Sequence, residues 1–178
     1  EVSGGGYDAA KSARAVVETQ RRLGPDCVVG GIHDLGLDVD ILGGEVGFPT
    51  RGIPFVEKPP FREAGDIEKA SLPDIRAQGR MAGLIESYRL VAGQIGDVVA
   101  VAANVEGPVT KAGVLRGLDA LLMDMMRDPA AAKAAVDFAV ELACEHVRAL
   151  TQAGAHFVFI AAASDGPAAI RPKDYLDY

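Results

Sequence analysis

The sequence predicts an α/β protein that forms part of a TIM-type (β/α)8 barrel with a β-hairpin excursion, and two observations carry that expectation. Three apolar runs each break off into polar residues: Val28 to Ile32 into His33-Asp34, Val98 to Ala103 into Asn104-Val105-Glu106, and Phe157 to Ala163 into Ser164-Asp165. Helical patterns separate these runs, and repeated strand, helix, strand order favours parallel pairing with right-handed crossovers. Loops at the carboxyl ends of parallel barrel strands build active sites, so the polar residues after each run are the candidate chemistry. Three strands cannot close an eight-stranded barrel, which takes about 250 residues.

Each element has a local reason. Asp8 to Leu23 repeats apolar positions at Ala9, Ala13, Val16 and Val17, and Gly24-Pro25 ends it. A strand is expected over Cys27 to Ile32, then a short helix over Gly36 to Leu42 ending at Gly43-Gly44. Glu45 to Phe48 and Ile53 to Glu57 flank Pro49-Thr50-Arg51-Gly52 as a hairpin. Pro59-Pro60 and Ser71-Leu72-Pro73 punctuate a loop-rich link. Helical periodicity resumes over Gly79 to Ile95 through Met81, Leu84, Ile85, Tyr88 and Val91. After the strand Val98 to Ala103 come helices at Pro108 to Arg116, Leu118 to Arg127 and Pro129 to Ala153, with proline suited to a first helical turn, and a strand at His156 to Ala162. An open doubly wound sheet is the competing architecture, but no Gly-rich phosphate fingerprint joins a strand to a helix: Gly30-Gly31 lies inside a strand and Gly43-Gly44 precedes a hairpin.

Composition narrows the function. The 178 residues carry 49% hydrophobic and 24% charged side chains, an ordinary globular balance with enough chain for one core. A net charge of −7 disfavours a phosphate-backbone partner, so no nucleic acid is expected. No apolar run approaches the roughly 20 residues of a membrane span, and no leader pattern opens the chain. Two cysteines, Cys27 and Cys144, do not make a disulfide framework, and a cytoplasmic setting is expected. The chain opens at Glu1 without an initiator Met and ends in what reads as the start of a helix, Pro172 to Tyr178. The expectation is one domain over residues 1–178, cut from a longer barrel at its carboxyl end.

The candidate residues divide between site and scaffold. Asp34 reads as a functional carboxylate or a loop cap, and His33 beside it points to the opposite face if the strand continues through both. Glu106 or Thr110 either contacts substrate or satisfies free amides at the start of the following helix. Asn104 suits a pocket, because an amide orients a ligand without adding charge. Ser164 and Asp165 precede Gly166-Pro167, which is turn chemistry as well as a possible substrate contact. Cys144 and His146 lie two apart on one helix, so they cannot easily share a metal; packing is expected for Cys144 and solvent for His146. Cys27 and the methionines Met123, Met125 and Met126 are expected in the core.

Several segments, in order along nearly the whole chain, resemble the uroporphyrinogen decarboxylase superfamily, which includes cobamide-dependent methyltransferases. They are Ile41-Leu42-Gly43-Gly44-Glu45-Val46, Val105-Glu106-Gly107-Pro108-Val109-Thr110, Leu122-Met123-Asp124-Met125-Met126-Arg127-Asp128-Pro129, and Ala153 to Ile160 followed by Pro172-Lys173-Asp174-Tyr175. The resemblance implies a barrel of which this is the amino-terminal and central part. Counting back from Leu42-Gly43 sets Asp34, in Ile32-His33-Asp34-Leu35, on the family aspartate that contacts pyrrole nitrogens in the decarboxylases. Asp34 is therefore the catalytic candidate, and His33, Asn104, Glu106, Ser164 and Asp165 are the substrate-binding candidates.

Two departures favour the methyltransferase branch. Gly107 to Val114 lacks the pocket tyrosine of the decarboxylases, and the arginine-rich amino-terminal segment that binds substrate carboxylates is absent. The methyltransferase branch implies a corrinoid methyl carrier, as a corrinoid protein or free cobamide, and a small thiol as partner. It also implies a zinc held by a His-x-Cys pair and a distant cysteine, all beyond Tyr178, so no metal ligand is assigned here and residues 1–178 by themselves are expected to be inactive. The runner-up is decarboxylation of a porphyrinogen in tetrapyrrole biosynthesis, with no cofactor. A non-catalytic binding module ranks third.

Overall fold

A computed structural model describes residues 6–77, 79–167 and 169–172. Asp8 accepts a hydrogen bond from the Lys11 amide at 2.9 Å and so caps helix α1 (Ala9–Leu23), which ends where Gly24 turns left-handed at φ 65°. Strand β1 (Cys27–Val29) follows. The hairpin β2 (Glu45–Gly47) and β3 (Phe55–Lys58) and a 3-10 helix (Ala64–Lys69) come before helix α2 (Gly79–Ile95) and strand β4 (Ala100–Glu106). Helices α3 (Pro108–Arg116), α4 (Leu118–Arg127) and α5 (Pro129–Gln152) lead to strand β5 (Phe157–Ala161). The three long-range strands pair in parallel in the order β1-β4-β5.

The pleat of β4 sorts the molecule into two sides. Val101, Ala103 and Val105 are fully buried beneath α2 and α5, which builds the core. Ala102, Asn104 and Glu106 point the other way, in register with Phe157, Phe159 and Ala161 of β5, while Val29 of β1 aligns with Ala102. That second face is the side a barrel turns inward. Among the described residues nothing covers Phe157 or Phe159, and no further strand pairs with β1 or β5.

Several expectations need correction. Residues 35–43 form consecutive turns rather than a helix: Val39 bonds back to Gly36, Leu42 to Asp38 and Gly44 to Val39, so no single repeat is established. Aspartate side chains compete for this backbone, Asp34 taking the Gly36 amide and Asp40 the Ile41 amide. Strand β1 stops at Val29, while β4 runs through Asn104 to Glu106, so those two residues belong to the strand rather than to the loop after it. The loop-rich link contains the 3-10 helix. His146 is buried and Cys144 is exposed, the reverse of expectation, because His146 shares its face of α5 with Leu142, Ala149 and Leu150. Cys27 is exposed on the open face of β1. Met125 packs on the core, but Met123 and Met126 are exposed on α4. The expected helix from Pro172 lies outside the described residues beyond that position.

A glycine pair sets the spacing of α2 from β1. A Cβ on Gly30 would meet the Tyr88 ring at 2.3 Å, and one on Gly31 would meet Leu84 at 2.6 Å and the Tyr7 hydroxyl at 2.9 Å. Ser87 on the same helix face donates to the Gly30 carbonyl at 3.0 Å, which closes the contact. Gly30→Ala is therefore expected to cost about 1–3 kcal/mol of stability. Gly93→Ala, at an exposed α2 position with nothing within 4 Å of the added carbon, is expected to gain roughly 0.5–1 kcal/mol. Urea unfolding of both variants beside the parent chain checks the pair of signs.

Candidate functional site

The chain after β1 turns over the carboxyl end of the sheet and brings His33 and Asp34 to the start of α2. Asp34 accepts from Arg80 through both oxygens, Nη1 on Oδ1 at 3.1 Å and Nη2 on Oδ2, and also takes the Gly36 amide at 2.9 Å. Both side chains of this bidentate pair are almost wholly buried, and the Arg80 guanidinium sits 5.0 Å from the centre of the Phe48 ring on the hairpin. Asp34 is thus both a loop cap and a charged floor group. His33 contacts the Tyr88 hydroxyl through Nε2 at 3.1 Å, with the rings edge to face. Burial pushes the His33 imidazole down to about 4 despite the opposing pull of Glu106, so it is neutral near pH 7. Burial also raises the Tyr7 and Tyr88 hydroxyls above the ordinary tyrosine value.

Glu106 ends β4 on its inward face and meets the ammonium of Lys111, one turn into α3, at 3.0 Å. Lys111 also donates to Asp38 Oδ2 at 2.7 Å, and His146 Nε2 lies 2.8 Å from Asp38 Oδ1. Burial alone would raise the Asp38 and Glu106 carboxyls, but the Lys111 ammonium more than reverses it and holds both below the ordinary carboxylate range. Burial would in turn lower Lys111, and the two carboxylates together lift it above its ordinary value. Glu106 and Asp34 face one small void of about 10 Å³, room for about one water. Asn104 lies below Glu106 on the same face, and its buried Oδ1 has no hydrogen-bond partner among the described residues.

The free amides at the start of α3, for which Thr110 or Glu106 is one possible acceptor from sequence, are taken by Asp165. Its carboxylate takes the Val109 and Thr110 amides at 2.9 Å each, together with the Thr110 hydroxyl, and so caps α3 from 55 residues away. Thr110 Oγ1 in turn receives the Ser164 amide at 2.8 Å. The structure therefore joins Asp34 to His33 along one cavity and to Glu106 across the small void, which together form a mouth, with Asn104 one pleat below Glu106. It sets Ser164 at the edge of a neighbouring groove and commits Asp165 to the helix cap.

Two cavities flank the mouth, and the hairpin tip Ile53-Pro54 lines both. One, of about 270 Å³, is bounded by Tyr7, Lys11, Ile32, Asp34 and Arg80. The other, of about 500 Å³, is bounded by Phe55, Thr110, Val114, Leu118 and Ser164. Their walls are largely apolar, with Ile32, Leu35, Ile53 and Phe55 exposed around them.

Arg80, Asp38 and Lys111 were missed from sequence, although a signal existed. Each sits where the apolar pattern calls for a core residue: Arg80 four before Leu84, Asp38 between Leu37 and Val39, Lys111 four before Leu115. Among the described residues one metal-ligand grouping occurs, Asp38, Glu106 and His146, with donor atoms within 4.8 Å of one another. Lys111 stands among those donors. The cysteines are exposed, and His156 Nδ1 accepts the Val101 amide at 2.9 Å, so the residues present do not fit a zinc centre of the Cys-His kind.

With this geometry in place, comparison with known proteins is informative. The family described as Uroporphyrinogen decarboxylase (URO-D) matches residues 6–178. Two Methanosarcina barkeri proteins named Methylcobamide:CoM methyltransferase MtaA, one from strain Fusaro, are each 23% identical over 141 residues, covering 78% of this chain and 41% of theirs. A solved methyltransferase from Methanosarcina mazei superposes with a TM-score of 0.86 at 22% identity, covering 96% of this chain and 50% of that one. The chain therefore spans half or less of the length of these relatives, and the likeness shows its fold, part of a TIM-type barrel. No helix among the described residues is long and apolar enough to cross a membrane.

The His33 environment has a pH consequence. The unfolded chain takes up a proton near the ordinary value of 6.5, and the folded site refuses it until about 4. The stability that neutral His33 contributes is thus complete above about pH 6.5, falls as pH drops towards 4 and levels off below it. The lowered Asp38 and Glu106 carboxyls add losses of the same sign at lower pH. Thermal midpoints from pH 7 to 4 are expected to fall less steeply in His33→Gln than in the parent; superimposable profiles would contradict this.

Proposed function

Because the chain belongs to the uroporphyrinogen decarboxylase family, we propose that it is the amino-terminal and central part of a cytoplasmic barrel enzyme that moves a methyl group between a corrinoid and a small thiol. The observation that carries this reading is the mouth itself. Asp34, Asn104 and Glu106 gather at the carboxyl ends of parallel strands, where barrel enzymes place their chemistry, and an apolar wall of Ile32, Leu35, Ile53 and Phe55 stands beside them. A corrinoid macrocycle presents a broad apolar face with a polar rim, and this combination suits it. The Glu106-Gly107-Pro108 turn, followed by no aromatic residue through Val114, further supports the methyltransferase branch.

The reaction class is a displacement in which a thiolate sulfur forms a bond to the methyl carbon and the cobalt–carbon electron pair stays with the corrinoid. In it, this chain's residues bind and orient. The Asp34–Arg80 pair gives the floor fixed hydrogen-bond geometry with little net charge. Neutral His33 adds a polar edge without a charge, and the unpartnered Asn104 carbonyl accepts an N–H or O–H from the ligand. Ser164 contacts the part of the ligand that reaches the second groove. The zinc that family resemblance implies is expected on a His-x-Cys pair and a distant cysteine beyond Tyr178, and no step is assigned to it.

The test is a pair of assays on the complete barrel, methyl transfer from methylcobalamin to a thiol and carbon dioxide release from uroporphyrinogen, with metal analysis beside them. Methylated thiol is the expected product. Carbon dioxide release without methyl transfer would replace this reading by a porphyrinogen decarboxylase, and ligand binding with neither activity by a binding module. Asp34 needs a design that separates chemistry from folding, because Asp34→Asn leaves a buried Arg80 unpaired, at a cost of about 3–5 kcal/mol. The double variant Asp34→Asn/Arg80→Met is expected to recover most of that stability yet remain at least about tenfold slower, equivalent to about 1.4 kcal/mol. Turnover restored along with stability would reduce Asp34 to a structural partner of Arg80.

A further inference from the structure

Four separate segments converge beneath the mouth: the turns after β1 through Asp38, the end of β4 through Glu106, α3 through Lys111 and α5 through His146. Asp38, Lys111 and His146 are each no more than 5% exposed. The Lys111 ammonium lies 2.7 Å from Asp38 Oδ2, 3.0 Å from Glu106 Oε2 and 3.5 Å from His146 Nδ1. An ammonium has three protons to give and nothing to accept with, so its three contacts define the state of the imidazole. Nδ1, facing the ammonium, must be the acceptor. Nε2 therefore carries the proton and donates it to Asp38 Oδ1 at 2.8 Å. Two carboxylate oxygens and one imidazole nitrogen thus surround a single positive charge, the donor set a divalent cation would use.

We propose that Asp38, Glu106 and His146 form a cation site that the protein fills with its own Lys111 ammonium in place of a metal, and that this internal cation positions Glu106 at the mouth as an acceptor-only group. Two carboxylates thus share a single ammonium. Asp38, Glu106 and Lys111 all border the small void that Asp34 also lines, and Glu106, 12% exposed against 7% for Asp38, is the more open of the two carboxylates. It selects a ligand group that donates a hydrogen bond or carries positive charge. The role of Glu106 towards a ligand rests on the binding site proposed above; the cation assignment does not, and is read without any substrate.

The experiment uses Co²⁺ as probe, followed by its visible absorption and by thermal unfolding. The parent chain and Lys111→Arg, which keeps a cation in place, are expected to show no Co²⁺ spectrum that depends on His146 and no shift in midpoint. Lys111→Ala is expected to be less stable and to acquire a Co²⁺ site, with a midpoint that rises by about 5–10 °C at roughly 100 times the dissociation constant. Adding His146→Ala to Lys111→Ala is expected to abolish both effects, which a lysine that merely filled space would not predict. Should Lys111→Ala fail to fold alone, recovery on refolding with Co²⁺ supports the assignment, and no recovery overturns it. A folded Lys111→Ala that gains no site overturns it, as does a parent chain that binds Co²⁺ through His146.

Discussion

A lysine ammonium can stay charged in a protein interior only if fixed acceptors replace the water it loses, and the region beneath the mouth is arranged around that requirement at Lys111. Its three acceptors come from three segments that are distant in sequence, so satisfying one charge ties α3, α5, the end of β4 and the turns after β1 together. Removing one partner of such a pair would leave an uncompensated charge, whereas an apolar replacement of the whole group need not be unstable. The cluster therefore contributes specificity of arrangement more than net stability. It also explains why residues 35–43 abandon a helical repeat: Asp38 must turn inward to reach Lys111 and His146.

A second buried pair, Asp34 with Arg80, repeats the principle on the other side of the mouth. There the constraint passes through α2, whose first turn carries Arg80 and whose later turns rest on Gly30 and Gly31 without any intervening Cβ. The close approach of α2 to β1 thus helps set where Arg80 stands, and Arg80 sets where Asp34 points. A shifted helix would therefore move the floor of the cavity beside α1. The Asp165 cap acts similarly from the far side, fixing the start of α3 and hence the height of Lys111 relative to Glu106.

Much of this was legible in the chain. The order of strands and helices, the hairpin, and the bounds of the helices at Gly79, Pro108, Leu118 and Pro129 follow from apolar period, proline at first turns and glycine at ends, which are local properties. The parallel pairing follows from alternation of strand and helix. Of the polar residues after the three apolar runs, Asp34 and Glu106 share a void, whereas Ser164 borders another groove and Asp165 caps α3. Local reasoning failed where a side chain's role is decided by a partner far away. His146 was expected in solvent although its phase with Leu142 and Leu150 marks it as buried, because a polar residue alone reads as exposed until an acceptor and a donor are found for it. Cys27, at the start of its strand and so at the end opposite the presumed site, reads as a core residue, but it is exposed.

Apart from the turns at 35–43 and the 3-10 helix at Ala64–Lys69, the sequence by itself determined the element types, their order and the parallel pairing, because periodicity and turn chemistry act over a few residues. Only the tertiary structure decided which polar residues hold one another: Asp34 with Arg80 across 46 positions, Asp165 on α3 across 55, and Lys111 between Asp38, Glu106 and His146. The physical reason is that a charge in the interior requires a counter-charge or fixed dipoles within hydrogen-bond reach. Neither a period nor a motif records which distant residue supplies them.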